Sequence, residues 1–354
     1  MITRDSTIIL YGSYGYTGKL IAAECKSRGL HVILSGRREG PLEEQGRETG
    51  YPFEAADTND AVALNNVLKK GRVVIHCAGP FQHTARSMVE ACLATNTHYT
   101  DISGEYQVFE MLREYDTEGK KAGITILPGA GFDVVPSDCL SRYLKNQLPG
   151  AVRLELAFTL SGGGLSRGTA KTMVQGLGYG SVVRESGKLI HIPLGKKRKK
   201  IDFGFGTVTC LNIPWGDVST AWYSTGIPNI EVYATAGKGM IIAAKASHLF
   251  DWLLRAKWLK NFLFKILDKR TAGPATNRIN STKTHLWGKV EDDSGHTRSA
   301  LIETLSGYKL TSKTSVLIAE KILGGSYETG FMTPSGAYGP DLILEIENTW
   351  RRDL

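Results

Sequence analysis

The chain has no charge-free apolar run of about 18 residues, so nothing in it reads as a membrane-spanning helix. Its five cysteines (Cys25, Cys77, Cys92, Cys139 and Cys210) are an odd set without a CxxC pair. That pattern excludes a disulfide framework and favours small buried thiols. HExxH is absent and the eight histidines are scattered, so no metal site is expected. There is no internal repeat and no low-complexity linker. Polar residues open the chain and a strand-like run follows within seven positions, leaving no room for a secretory leader. A cytoplasmic protein, membrane-peripheral at most, is the expectation.

What is present is ordinary in bulk and uneven in charge. At 354 residues, 42% apolar and 22% charged, the chain suits two globular domains. The net charge of +8 is concentrated in Lys196–Lys200 (KKRKK) and in residues 240–270, where seven basic side chains face only Asp251 and Asp268. Outside these stretches the chain is slightly acidic, so the basicity points to a surface or partner.

Up to about residue 135, strand-like and helix-like segments alternate. Ile8–Tyr11, His31–Ser35, Phe53–Ala56, Val73–Cys77, His98–Asp101 and Ile124–Leu127 read as strands. Thr17–Arg28, Pro41–Gly50, Asp60–Lys69, Thr84–Ala94 and Tyr106–Ala122 read as helices between them. This rhythm predicts an α/β fold with a Rossmann-type doubly wound parallel sheet. From Arg153 the segments turn strand-rich, and VEDDSGHTRSALIET suggests a hairpin. A second α+β domain with a mostly antiparallel sheet is expected, followed by a helix over Thr311–Leu323.

The first turn is GSYGYTG, with Gly12, Gly15 and Gly18 between a strand and a helix. Such a turn lets backbone approach a pyrophosphate and aims a helix N-terminus at its charge. Ser13, Tyr14, Tyr16 and Thr17 fill the loop. The second strand ends Ser35–Gly36–Arg37–Arg38, with no acid before Glu39. An NAD site would place a carboxylate there for the ribose hydroxyl, whereas two guanidinium forks suit a 2′-phosphate, so NADP(H) is favoured over NAD(H). Asp57 is a candidate adenine contact or a helix cap. Ala78, Gly79, Pro80 and Phe81, after the fourth strand, are candidates for the nicotinamide half.

GSYGYTG, HCAGPF, HYTDISGE and LPGAGFDVVPSD, in this order and spacing, resemble the saccharopine dehydrogenase-like oxidoreductases, in the branch that includes trans-acting enoyl reductases. GLSRGTAKTM and GFMTPSGAYGPDLIL extend the resemblance over most of the chain. It implies an NAD(P)-binding Rossmann domain (1–148), an α+β substrate or dimerisation domain (149–310) and C-terminal helices returning to the first domain (311–354). It also implies reduction of a C=C or C=N bond. Two rivals share the loop. N-acetyl-glutamyl-phosphate reductases need a nucleophilic cysteine, and Cys139 lies inside the apparent helix VVPSDCLSRYL. Short-chain reductases need Tyr-x-x-x-Lys, and none of the 14 tyrosines has lysine four residues on.

Hydride transfer leaves the protein to orient the reactants and supply a proton. Ser103, Glu105 and Asp133, with Asp101 beside them, lie in loops at the carboxyl edge of the predicted sheet and are the candidate catalytic residues, although Ser103 and Asp133 suit helix caps equally. Ser166, Arg167 and Thr169 are candidates from the second domain. Residues 249–270 repeat apolar positions at helical spacing with lysines, Trp258, Phe250 and Phe264 on the other faces. One helix is expected there, either packed in the second domain or subunit interface or lying in a membrane interface, with KKRKK either a solvated loop or an added attraction to anionic lipid. Nothing suggests nucleic-acid binding. The expectation is an NADP(H)-dependent reductase of a small-molecule, acyl- or lipid-like substrate, with peripheral membrane contact through 240–270 and a homodimer as further expectations. The alternative is a non-catalytic dinucleotide-binding protein attached to membrane lipid or a protein partner.

Overall fold

The computed structural model describes residues 3–159, 166–269, 273 and 282–354. The chain divides into two units, Met1–Val135 with Gly307–Ala337, and Pro136–Ser306 with Tyr338–Leu354.

The first unit holds a parallel sheet of β1 (Thr7–Tyr11), β2 (His31–Gly36), β3 (Phe53–Ala55), β4 (Val73–His76), β5 (His98–Asp101), β6 (Thr125–Leu127) and the late strand β15 (Gly330–Phe331). Their order is β15-β6-β5-β4-β1-β2-β3. Chain direction across the sheet reverses between β1 and β4, the place where doubly wound folds bind ligands at the carboxyl ends of their strands. Ile8, Ile9 and Leu10 of β1 and Val73, Val74 and Ile75 of β4 are 0% exposed, which explains why both read as unbroken apolar runs. The predicted helix Tyr106–Ala122 is two helices, Tyr106–Arg113 and Asp116–Ala122. The break places the Tyr115 hydroxyl between Arg86 and Glu90, 2.7 and 2.8 Å away.

The helix predicted at Thr311–Leu323 spans Gly307–Leu323 and belongs to the first unit. Its Thr314 hydroxyl donates to Ala130 O at 2.8 Å, and Thr311 Oγ1 accepts from Phe132 N at 3.0 Å. The return expected for 311–354 therefore extends only to Ala337, and the first boundary lies at Val135 rather than 148. The physical reason is the helix Val135–Gln147: a Cβ on Gly288 would meet Leu144 at 2.8 Å and Leu140 at 3.0 Å, so this helix is seated on the second unit's sheet. Cys139, within it, is 0% exposed and its thiol is raised well above its ordinary pKa by burial, as a packing residue would be.

The second unit contains β7 (Ala151–Phe158), β8 (Ser181–Glu185), β9 (Lys188–Ile192), β10 (Arg198–Asp202), β11 (Thr207–Asn212), β12 (Asn229–Thr235), β13 (Lys283–Asp292), β14 (Thr297–Leu305) and β16 (Trp350–Asp353). The order is β10-β11-β12-β7-β13-β14-β16, with β8 joining through β12. Apart from the parallel pair β7–β12, the pairings in this sheet are antiparallel, as expected.

Two expectations are corrected here. Most of KKRKK is not a loop but the start of β10, paired with β11. Lys197 pairs with Glu231 at 2.6 Å and Lys199 with Glu155, so alternate charges are already neutralised on the sheet. The single helix expected over 249–270 is broken: Asp251–Leu254 and Lys257–Asp268 are separated by Ala256, which is extended at φ −61° and ψ 125°. Arg270 lies outside the described residues, as do Gly164 and Leu165 of GLSRGTAKTM. Among the described residues, no helix is long and apolar enough to cross a membrane and no group of His, Cys, Asp and Glu could hold a metal ion.

Candidate dinucleotide site

The glycine loop is tied to the end of β2. Gly12 N and Ser13 N both donate to Ser35 O, at 2.8 and 3.2 Å. Gln45 Nε2 donates to Ser13 O at 3.0 Å, and the Ser35 hydroxyl donates to Glu54 O at 2.8 Å. Ser35 is 0% exposed, so its place is behind the loop as a brace. Gly12 has φ +78°, and a Cβ there would lie 2.8 Å from Ala78 N. A Cβ on Gly18 would fall 2.5 Å from Gly12 O and 2.6 Å from Ser13 O, so the turn closes only around glycine.

The helix Tyr16–Ser27 starts from Gly15 with no side-chain cap and no acid in its first turn. Its first N–H groups are thus left for an external acceptor. Tyr14 and Thr17 are half-buried on the loop; Tyr16 packs edge-on against Tyr308 with ring centroids 5.1 Å apart. A Cβ on Gly36 would lie 2.7 Å from the Tyr14 ring, and the Arg38 guanidinium sits over that ring at 5.1 Å. Arg37 and Arg38 are exposed, and neither has a carboxylate within salt-bridge distance among the described residues. An uncapped helix start beside two unpaired guanidiniums fits a dinucleotide with an additional phosphate on its ribose. Asp57 accepts from Asn59 N and Nδ2, both at 2.9 Å. The cap of the helix Ala61–Leu68 is instead Asp60, which accepts from Val62 N and Ala63 N.

The loop after β4 is held from two sides. His76 Nε2 lies 2.9 Å from the Thr84 hydroxyl, which donates to Ala78 O at 2.8 Å. The imidazole therefore donates from Nε2, and burial keeps it neutral by pushing its pKa down to about 3. Glu105 accepts from Phe81 N at 3.1 Å and Gln82 N at 3.3 Å, fixing Ala78, Gly79, Pro80 and Phe81 at the carboxyl edge of the sheet.

Asp101, 0% exposed, organises the neighbouring loops. Its Oδ1 accepts from Ser103 N (2.9 Å), the Ser103 hydroxyl (2.8 Å) and Gly129 N (2.8 Å), and Oδ2 accepts from the Tyr99 hydroxyl at 2.6 Å. Ser103 and Glu105 are thereby engaged as braces. Replacing Asp101 by alanine leaves these buried donors unmatched and is expected to cost about 4 kcal/mol in urea unfolding; a loss below about 1 kcal/mol contradicts this assignment.

Asp133 packs on Gly104, where a Cβ would meet its Oδ2 at 2.7 Å. Burial, and then the charge of Glu105, push its carboxyl up to about 7. In the sequence Asp133 is one of several polar residues that follow strands; its packing on Gly104 and its raised pKa distinguish it. In the second unit, Ser166 is a helix cap whose hydroxyl accepts from Thr169 N at 3.2 Å, with Arg167 as the first residue of that helix.

Residues 8–127 match the sequence model of the saccharopine dehydrogenase NADP-binding domain. A saccharopine dehydrogenase-like oxidoreductase of Rattus norvegicus is 26% identical over 226 residues, 56% of this chain and 53% of the relative. A Caenorhabditis elegans lipid droplet localized protein is 28% identical over 189 residues, 48% and 44% of the two chains. A trans-acting enoyl reductase of Mycobacterium bovis is 29% identical over 143 residues, 38% and 34%. The matched part of this chain thus spans about half or less of these curated relatives. Saccharopine dehydrogenase (L-Glu forming) from Saccharomyces cerevisiae has the same fold, with a TM-score of 0.68 over 99% of this chain and 100% of that one, at 14% identity.

Proposed function

We propose that this chain, whose residues 8–127 match the saccharopine dehydrogenase NADP-binding domain, is an NADP(H)-dependent reductase of a C=C or C=N bond in an apolar, acyl-like substrate. The observation that carries the cofactor half is the pair Arg37 and Arg38, exposed and without a carboxylate partner among the described residues, together with the uncapped start of the helix Tyr16–Ser27. The substrate half rests on the enoyl reductase and lipid droplet relatives, whose names speak for those proteins alone.

NADPH, when bound, would supply a hydride. The loop Gly12–Gly18 would hold its pyrophosphate on backbone N–H groups, Arg37 and Arg38 its 2′-phosphate, and Ala78–Phe81 its nicotinamide half. Asp133, packed on Gly104 in the loops at the carboxyl edge of the sheet, would hold the proton that completes the reduction, and its raised pKa of about 7 keeps part of the population protonated at neutral pH. The rate of the chemical step is therefore expected to fall as pH rises through about 7. Asp133→Asn is expected to lower kcat about 100-fold, leave NADPH binding unchanged and remove that pH limb. A variant that retains the limb contradicts the role.

The same carboxyl has a sign for stability. Its folded pKa is above its ordinary 3.8, so the stability it lends is full below pH 4 and is lost as pH rises to about 7. Asp133→Asn should flatten the fall in stability across that window.

The test of the reading is substrate-dependent NADPH oxidation across a panel of α,β-unsaturated acyl compounds and cyclic imines. Turnover with one class supports it. Tight NADPH binding with no turnover on any of them favours a dinucleotide-binding protein without catalysis.

A further inference from the structure

The segment between Met240 and Ile266 holds eight of the 17 exposed large apolar side chains among the described residues. They do not lie at random. In the helix Lys257–Asp268, Trp258, Phe262 and Ile266 are 65%, 57% and 43% exposed and recur every four residues, so they form one stripe. Lys257, Lys265 and Lys269, all exposed, follow the same spacing on the adjoining stripe. Trp252 precedes them at 73% exposure.

The opposite face of this helix is already used. Lys260 is 7% exposed and donates from Nζ to Gln175 O at 2.6 Å, over the Tyr179 ring at 4.6 Å. Leu267 is buried, and Lys171 pairs with Asp268 at 2.7 Å. The helix is therefore anchored to the segment Arg167–Tyr179, and its aromatic stripe is not the side that seeks a core. The pair to Lys171 also satisfies Asp268, and among the described residues no carboxylate forms a salt bridge with Lys257, Lys265 or Lys269, so these lysines carry the net charge of this surface.

The geometry points to a docking surface for a membrane interface with anionic headgroups, made by Trp252, Trp258, Phe262 and Ile266 with Lys257, Lys265 and Lys269. Aromatic rings settle at the headgroup boundary, and lysines snorkel from the same helix to anionic phosphates. A folded protein rarely leaves so many large apolar groups together in water. The charge beside the stripe selects an anionic surface over a neutral one. A helix on this scale lies in the interface and does not cross it. This inference does not depend on the cofactor reading, and it would survive failure of that reading.

Co-sedimentation of the full chain with vesicles tests it. Binding to phosphatidylcholine–phosphatidylserine vesicles is expected to be at least about tenfold tighter than to phosphatidylcholine alone, and to weaken with added salt. Trp258→Ala with Phe262→Ala should abolish it; both side chains are exposed, and NADPH binding should be unchanged as evidence of folding. Lys257→Glu with Lys265→Glu and Lys269→Glu should remove the preference for the anionic vesicle. Failure to sediment with either vesicle overturns the proposal, as does equal binding to both. Association of the chain with itself, lost in the Trp258→Ala and Phe262→Ala variant without any lipid binding, overturns it too and identifies a second copy as the occupant.

Discussion

Replacing Arg37 and Arg38 together by alanine weakens NADPH binding by about 100-fold and leaves NADH binding within about twofold. The magnitude follows from the chemistry: a hydrogen bond to a charged group contributes about 1.5–3 kcal/mol, discounted here because both side chains are exposed, and 1.4 kcal/mol is a factor of ten. The selectivity follows from geometry. Among the described residues neither guanidinium has a carboxylate partner to compete with a phosphate, and Arg38 is steadied over the Tyr14 ring at 5.1 Å. No acid stands between Ser35 and Glu39 to hold a free ribose hydroxyl, so nothing in the wild-type loop favours NADH. Fluorescence titration of both cofactors reads the effect; equal weakening of the two removes the 2′-phosphate assignment.

The second large effect is expected at Gly18. An alanine Cβ would stand 2.5 Å from Gly12 O and 2.6 Å from Ser13 O, closer than real contacts allow, and all the atoms it meets are backbone. The loop must open, which moves the pyrophosphate N–H groups away from the helix start. Gly18→Ala should therefore weaken NADPH and NADH alike by more than about tenfold. Gly40→Ala is the matched control, because that glycine has open space within 4 Å and is also helical, and it should leave both affinities unchanged. Loss of NADPH binding alone in Gly18→Ala would place the pyrophosphate elsewhere.

The two substitutions show where the sequence was legible. Strands β1 and β4 are covered on both faces, so each is a continuous apolar run that can be read without tertiary knowledge. The glycine loop is legible because its steric demand is local. KKRKK was not: a strand of lysines is recognisable only once Glu155, Glu185 and Glu231 are known to lie across from Lys197 and Lys199. The break at Ala256 is hidden for a related reason. Apolar spacing continues through it, yet the side of the later helix that packs carries Lys260 and Leu267.

The candidate site divides in the same way. Arg37 and Arg38 could be found because the informative feature is a missing acid at a fixed distance from the loop. Ser103, Glu105 and Asp133 looked alike as polar residues at strand ends. Their separation depends on what comes near: Phe81 and Gln82 N–H engage Glu105, Asp101 engages Ser103, and Asp133 packs against Gly104 with a raised pKa. Long-range placement of this kind leaves no trace in spacing. The same holds for the boundary at Val135, which is decided by the room that Gly288 leaves for Leu140 and Leu144.

The central claim is that the chain bound to NADPH reduces a double bond, and isotope transfer tests it most directly. The full chain is incubated with NADPH deuterated at the transferring position of the nicotinamide and with the α,β-unsaturated acyl and imine panel, and the products are examined by mass spectrometry. The account predicts one deuterium on carbon in one product class, with Asp133→Asn slowing its appearance about 100-fold. NADPH bound tightly and recovered with its deuterium intact, across the whole panel, would contradict it.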